Sequence, residues 1–120
     1  TAITASVQIR EGQQVFNRML WAMPDGSIQY YDKRHLFRMA NEHERYSAGK
    51  EKVFIEYKGW RICPQICYDL RFPVYSRNRF NHTFANAYDY DLLIYVANWP
   101  KPRINACLCG GCKSRGYGWQ

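Results

Sequence analysis

Trp60-Arg61-Ile62-Cys63-Pro64-Gln65-Ile66-Cys67-Tyr68-Asp69-Leu70-Arg71-Phe72-Pro73 is the stretch on which the fold turns. Residues 60–67 are nearly all apolar, as a central strand buried on both faces would be. Pro64 has no N–H to give to a ladder, so a local irregularity is expected there. The run ends at Cys67, passes through a polar turn and reaches Pro73, which suits the first turn of a helix over residues 72–80. Strand, side chain, sharp turn, helix is the logic of a nucleophile elbow, in which the next backbone N–H can face a developing oxyanion. A nearby helix N-terminus favours the thiolate. The plainer reading makes Cys67 a small core residue at the end of a strand.

Working outward toward the N-terminus, Lys58-Gly59 is a tight turn and residues 52–57 alternate as a strand. Residues 32–50 are polar and lack a clean period. They read as a long ordered loop with one helical turn, and loops of that length in compact domains are often functional. Residues 3–9, 15–23 and 28–31 are extended segments. Turns at residues 10–13 and at Pro24-Asp25-Gly26-Ser27 join them, so two hairpins in series are expected. Toward the C-terminus, residues 81–90 form a surface loop and Leu92-Leu93-Ile94-Tyr95-Val96 a second buried strand, ended by Asn98-Trp99-Pro100-Lys101-Pro102.

Tyr31-Asp32-Lys33-Arg34-His35-Leu36-Phe37 follows a strand, as Cys67 does. Both would then project from the same end of one sheet. A lysine there could polarise a carbonyl and stabilise an oxyanion; the alternative is a surface charge in a basic loop. His35 could act as base in a Cys–His pair.

The composition bounds these readings. A chain of 120 residues, 47% hydrophobic and 17% aromatic, can form one small domain with a core and is not a disordered tail. No apolar run is long enough to span a membrane, and no signal peptide opens the chain. It begins at Thr1, which suggests processing or a piece of a longer protein. The formal charge of +7 is spread along the chain without a dense block, so a solvated basic surface is preferred to nucleic-acid binding. Five cysteines, an odd number, argue against an intramolecular disulfide framework and for a cytoplasmic setting. Cys107, Cys109 and Cys112 could hold zinc only with a fourth ligand, and no Cys or His follows them in the chain. No metal or cofactor is expected.

The segment 31–37 resembles the lysine motif of the nitrilase superfamily. Gly59-Trp60-Arg61-Ile62 leading to Cys67-Tyr68-Asp69-Leu70-Arg71-Phe72-Pro73 resembles its cysteine motif, and residues 90–100 resemble the strand and pocket segment that follows. Three motifs in order carry the resemblance, which covers about residues 5–103 and is strongest to the ω-amidase branch, hydrolases of ω-amides such as 2-oxoglutaramate. It implies an α/β fold, a strand-rich portion of an αββα sandwich. Its exposed apolar faces suit a homo-oligomer. It implies catalysis by Cys67 through an acyl-enzyme, with Lys33 and the backbone N–H of Tyr68 at the oxyanion. Glu42 would orient Lys33, and Arg71 and Trp99 would line the pocket of a small amide. Arg71 could instead pair with Asp69.

Three departures accompany the resemblance. The family's base is a Glu on an earlier strand, upstream of everything in this sequence. Glu11 is no substitute, because it falls in the predicted turn. Residues 81–88 look like an insertion. Residues 104–120 do not match and are set apart as a tail, the rest being a partial hydrolase domain over residues 1–103; an altered reading frame or a truncated gene would explain them. The rival readings are a non-catalytic remnant and a basic nucleic-acid or metal-binding module.

Overall fold

The computed structural model describes residues 1–81 and 87–99. Strands β1 (Ile3–Glu11) and β2 (Gln14–Ala22) form a hairpin in continuous antiparallel register from Ile3 opposite Ala22 to Glu11 opposite Gln14. Gly12 closes it at φ 58°, a left-handed position that a residue without Cβ adopts without cost. β3 (Ile28–Asp32) returns beside β2, with Arg18 opposite Asp32 and Ala22 opposite Ile28. The turn before it is fixed by the Asp25 carboxylate, which accepts from both the N–H and the hydroxyl of Ser27. Both expected hairpins are present, and Glu11 is the last residue of β1 rather than part of the turn.

A second sheet joins β4 (Ile55–Tyr57), β5 (Trp60–Ile66) and β8 (Leu92–Val96). Lys58 and Gly59 link β4 to β5, both at positive φ, as a two-residue hairpin turn requires. β5 then runs parallel to β8, with Ile62 opposite Leu92 and Ile66 opposite Val96. The expected irregularity at Pro64 is absent, since Pro64 pairs with Ile94 without a break in register. β4 pairs no further than Ile62. Among the described residues Pro64 therefore has a ladder on one side only, the circumstance in which a missing N–H is tolerated.

The two sheets share one core. Met19 and Trp21 of β2 and Tyr31 of β3 meet Ile55 of β4 and Ile62 and Ile66 of β5. The spacing of two along β2 puts Met19 and Trp21 on the inner face, and burying each such large side chain contributes about 1.5–3 kcal/mol. The long loop holds a single turn of 3-10 helix, Arg38–Ala40, and one turn of α-helix, α1 (Glu42–Arg45).

Two expectations fail. The strand over residues 52–57 shortens to β4. The helix over residues 72–80 does not form: a 3-10 helix, Cys67–Arg71, comes earlier and one further turn closes through Ser76 N–H to Phe72 O. The chain is then drawn away by Asn78, whose side chain both donates to Tyr90 O and accepts from Tyr90 N–H. The Tyr90 hydroxyl donates to Ser76 O at 2.5 Å. Here the expected surface loop begins and ends in a short antiparallel pair, β6 (Phe80–Asn81) with β7 (Ala87–Tyr88). The middle of the expected insertion, and the tail with Cys107, Cys109 and Cys112, lie outside the described residues.

Candidate active site

Cys67 stands one residue past the end of β5, half-buried and with a free thiol. Its φ is 47°. A residue bearing a Cβ holds this conformation at a cost of about 1–3 kcal/mol, so the surroundings must impose it. Asp69 does so from two residues further on. Its carboxylate accepts the N–H of Ile66 at 3.0 Å, tying the strand end to the turn. Cys63, four residues earlier on β5, has no exposure, and burial pushes its thiol above the ordinary range. Of these two thiols, Cys67 alone has partial access.

Lys33 is the first residue beyond β3 and is 1% exposed. Its ammonium is held by both oxygens of Glu42, at 2.7 and 2.9 Å. Glu42 opens α1 and also accepts the N–H of Phe37 at 2.8 Å, which folds the loop back over the lysine. The backbone of Lys33 is fixed on both sides, its N–H donating to Asn17 O and its C=O accepting from Gly49 N–H. Gly49 has to be glycine here: a Cβ would lie 2.1 Å from the carbonyl oxygen of Asp32. The expected closeness of Glu42 to Lys33 is thus a feature of the loop.

Lys33 and Cys67 do not follow strands of one sheet. β3 belongs to the first sheet and β5 to the second. They are brought into relation across the core by Asp69, which is fully buried. Its carboxylate accepts from the Tyr31 hydroxyl at 2.9 Å, the His35 N–H at 2.9 Å and His35 Nδ1 at 2.8 Å, besides Ile66 N–H. Burial, then the neighbouring Asp69 charge, pushes the Tyr31 hydroxyl far above its ordinary range, so it remains a donor. The single-sheet expectation failed because alternation shows that a strand exists and not which sheet it joins.

The network fixes His35, while Arg71 and Tyr68 are placed by ring contacts. His35 turns Nδ1 to Asp69, and its ring stacks on Phe72 at 3.8 Å between centroids. Asp69 is engaged by Tyr31, His35 and Ile66, while Arg71 is exposed and places its guanidinium 5.6 Å from the centroid of Trp99. The two candidate pocket residues therefore meet each other. The ring of Tyr68 packs 4.9 Å from Phe37 and 5.5 Å from Phe72, joining the lysine loop to the elbow a second time. Arg71 also lines a groove of about 1040 Å³ with His35, Lys52, Phe54 and Arg79, but Cys67, Lys33 and Glu42 do not line it.

Sequence reasoning missed Asp69 and Tyr31 as members of the site. The available signal was complementarity: one motif carries a buried acceptor, and the other carries a tyrosine and a histidine able to donate to it.

The carbon-nitrogen hydrolase family model matches residues 1–85. The chain is 55% identical over 101 residues to omega-amidase YafV of Yersinia enterocolitica, across 84% of this chain and 36% of that protein. To the 2-oxoglutaramate amidase of Bacillus subtilis it is 34% identical over 128 residues, across 95% of this chain and 47% of that one. The chain thus spans less than half the length of these relatives. A solved CN-hydrolase superfamily protein of Xanthomonas campestris, with an arsenic adduct in its active site, superposes with a TM-score of 0.83 at 62% identity. That alignment covers 88% of this chain and 40% of the other. With the family model matching well over half its length, the chain belongs to the carbon-nitrogen hydrolase family.

Proposed function

We propose that this chain carries the nucleophile, the lysine and part of the pocket of an amidase acting on small ω-amides of the 2-oxoglutaramate kind. The observation that carries the reading is buried Lys33, hydrogen-bonded to both carboxylate oxygens of Glu42 and held in relation to a half-buried cysteine in a strained turn. Cys67 attacks the amide carbon as a thiolate. The tetrahedral oxygen is stabilised by Lys33 and the Tyr68 N–H, and the C–N bond breaks as the nitrogen takes a proton and leaves as ammonia. Water then cleaves the thioester, releasing the acid and restoring the thiol. Glu42 orients the lysine. The general base is assigned to a carboxylate upstream of Thr1, where the resemblance puts it. Arg71, stacked near Trp99, pairs with the substrate's carboxylate.

Residues 1–103 make up the hydrolase portion and 104–120 a separate tail. A reducing cytoplasm suits a mechanism that depends on a free thiol. Among the described residues no helix is long and apolar enough to cross a membrane. Exposed Ile3, Ile28 and Trp60 on the sheets support self-association.

The test is ammonia release from 2-oxoglutaramate by this chain, by a chain extended upstream along its gene, and by the extended chain with Cys67→Ala. The isolated chain should turn over about 100- to 10,000-fold more slowly than the extended one, the usual contribution of a positioned base. Cys67→Ala should abolish the activity. Retained activity in that variant removes the nucleophile assignment, and full turnover by the isolated chain places the base within these residues.

A further inference from the structure

Asp69 is fully buried and faces four donors drawn from three places: the Tyr31 hydroxyl on β3, the backbone N–H and ring Nδ1 of His35 in the lysine loop, and the N–H of Ile66 at the end of β5. A buried carboxylate is stable only when its lone pairs are filled, and here every donor comes either from the lysine segment or from the residue just before Cys67. The lysine loop and the cysteine turn follow strands of different sheets, so no backbone ladder joins β3 to β5. Asp69 is a single acceptor that both segments reach. His35 adds a second restraint, since its ring is stacked flat on Phe72 and stands edge-on to Tyr75, both just beyond the cysteine turn.

We infer that Asp69 and His35 are positioning residues that lock the loop carrying Lys33 to the turn carrying Cys67, so that the two segments keep one relative placement independently of substrate. The inference rests on the hydrolase reading for what the lock serves. Neither residue touches the reacting atoms. Asp69 sets the distance between the two motifs, and His35 is the arm by which the lysine loop holds on. Because the Nδ1 of histidine and the side-chain amide nitrogen of asparagine occupy similar positions, His35→Asn keeps the donor, whereas His35→Leu keeps bulk and loses it.

The experiment measures iodoacetamide alkylation of the full chain, mapped by mass spectrometry to Cys67 and to Cys63, together with amide hydrogen exchange at residues 35 and 66. In the parent chain Cys67 should react faster than a free peptide thiol and Cys63 hardly at all. His35→Leu and Asp69→Asn should slow Cys67 by about 10- to 100-fold, the scale on which an ångström of misplacement acts. They should also lose amide protection at residue 35 while the β1–β2 amides stay protected. His35→Asn should restore most of the rate. If Asp69→Asn does not fold, the two His35 variants decide the matter alone. Equal rates for His35→Leu and His35→Asn, or an unchanged Cys67 rate once the residue 35 amide is exposed, would overturn the lock. A Cys67 no faster than a free thiol in the chain extended upstream, where the base is supplied, would instead overturn the hydrolase reading, and the two failures are read in different arms.

Discussion

Lys33 and Glu42 are unequal partners. The ammonium is 1% exposed, while the carboxylate keeps 21% of its side-chain surface. Removing Glu42 strands a buried charge and also removes the carboxylate that accepts from Phe37 N–H; removing Lys33 leaves a carboxylate that water can reach. Breaking a buried pair from one side costs about 3–5 kcal/mol. Glu42→Leu should therefore destabilise the chain by roughly that amount and Lys33→Met by clearly less. The double variant should recover part of the Glu42→Leu loss. Urea unfolding of the three variants checks the order, and equal losses from the two single changes would show that the pair is solvated. Of this site, the sequence made Cys67 and Lys33 visible through their position after strands. Glu42 became visible only through family resemblance, because a loop carboxylate nine residues from its lysine has no periodic signature.

Among the elements, the strands were legible and the connections were not. β1, β2 and β3 appear where alternation and the Asp25-Gly26 turn place them, since both signals are local. The absent helix over residues 72–80 has a long-range cause: the two hydrogen bonds between Asn78 and Tyr90 span twelve residues and compete with helical bonding. Membership of one sheet or the other is also non-local, which is why Lys33 and Cys67 were expected together. The loop carrying Lys33 makes a sharper test. In Gly49→Ala the new methyl meets the Asp32 carbonyl, so the loop must move and the bond from Gly49 N–H to Lys33 O weakens. A loss of about 1–3 kcal/mol is expected for such overpacking, read as a lower urea midpoint at unchanged slope. A midpoint equal to the parent's would mean the loop has room that its backbone geometry denies.

For the whole molecule, part of the acid limb of stability originates on the first sheet and its turn. Arg18 is buried and paired with Asp32 and Glu11, and its hydrogen bond holds the Glu11 carboxyl below the usual range. The Ser27 hydroxyl and N–H do the same for Asp25. A carboxyl whose folded value is depressed contributes stability above its unfolded value, and loses it as pH falls through the folded one. Glu11→Gln and Ser27→Ala should each be less stable than the parent at pH 7, with a gap that is narrower at pH 3. Denaturant unfolding at the two pH values measures it. A gap as wide at pH 3 as at pH 7 would assign the effect to packing and not to charge.

The left-handed backbone at Cys67 has a consequence for what unguided mutation would do to this chain. Glycine occupies that conformation freely, and a cysteine codon lies one base change from a glycine codon. The backbone relief, about 1–2 kcal/mol for a residue in this region, is of the size that decides which variants of a marginally stable protein persist. A lineage kept only for its ability to fold would therefore drift toward glycine at position 67, and would lose its thiol before it lost its shape.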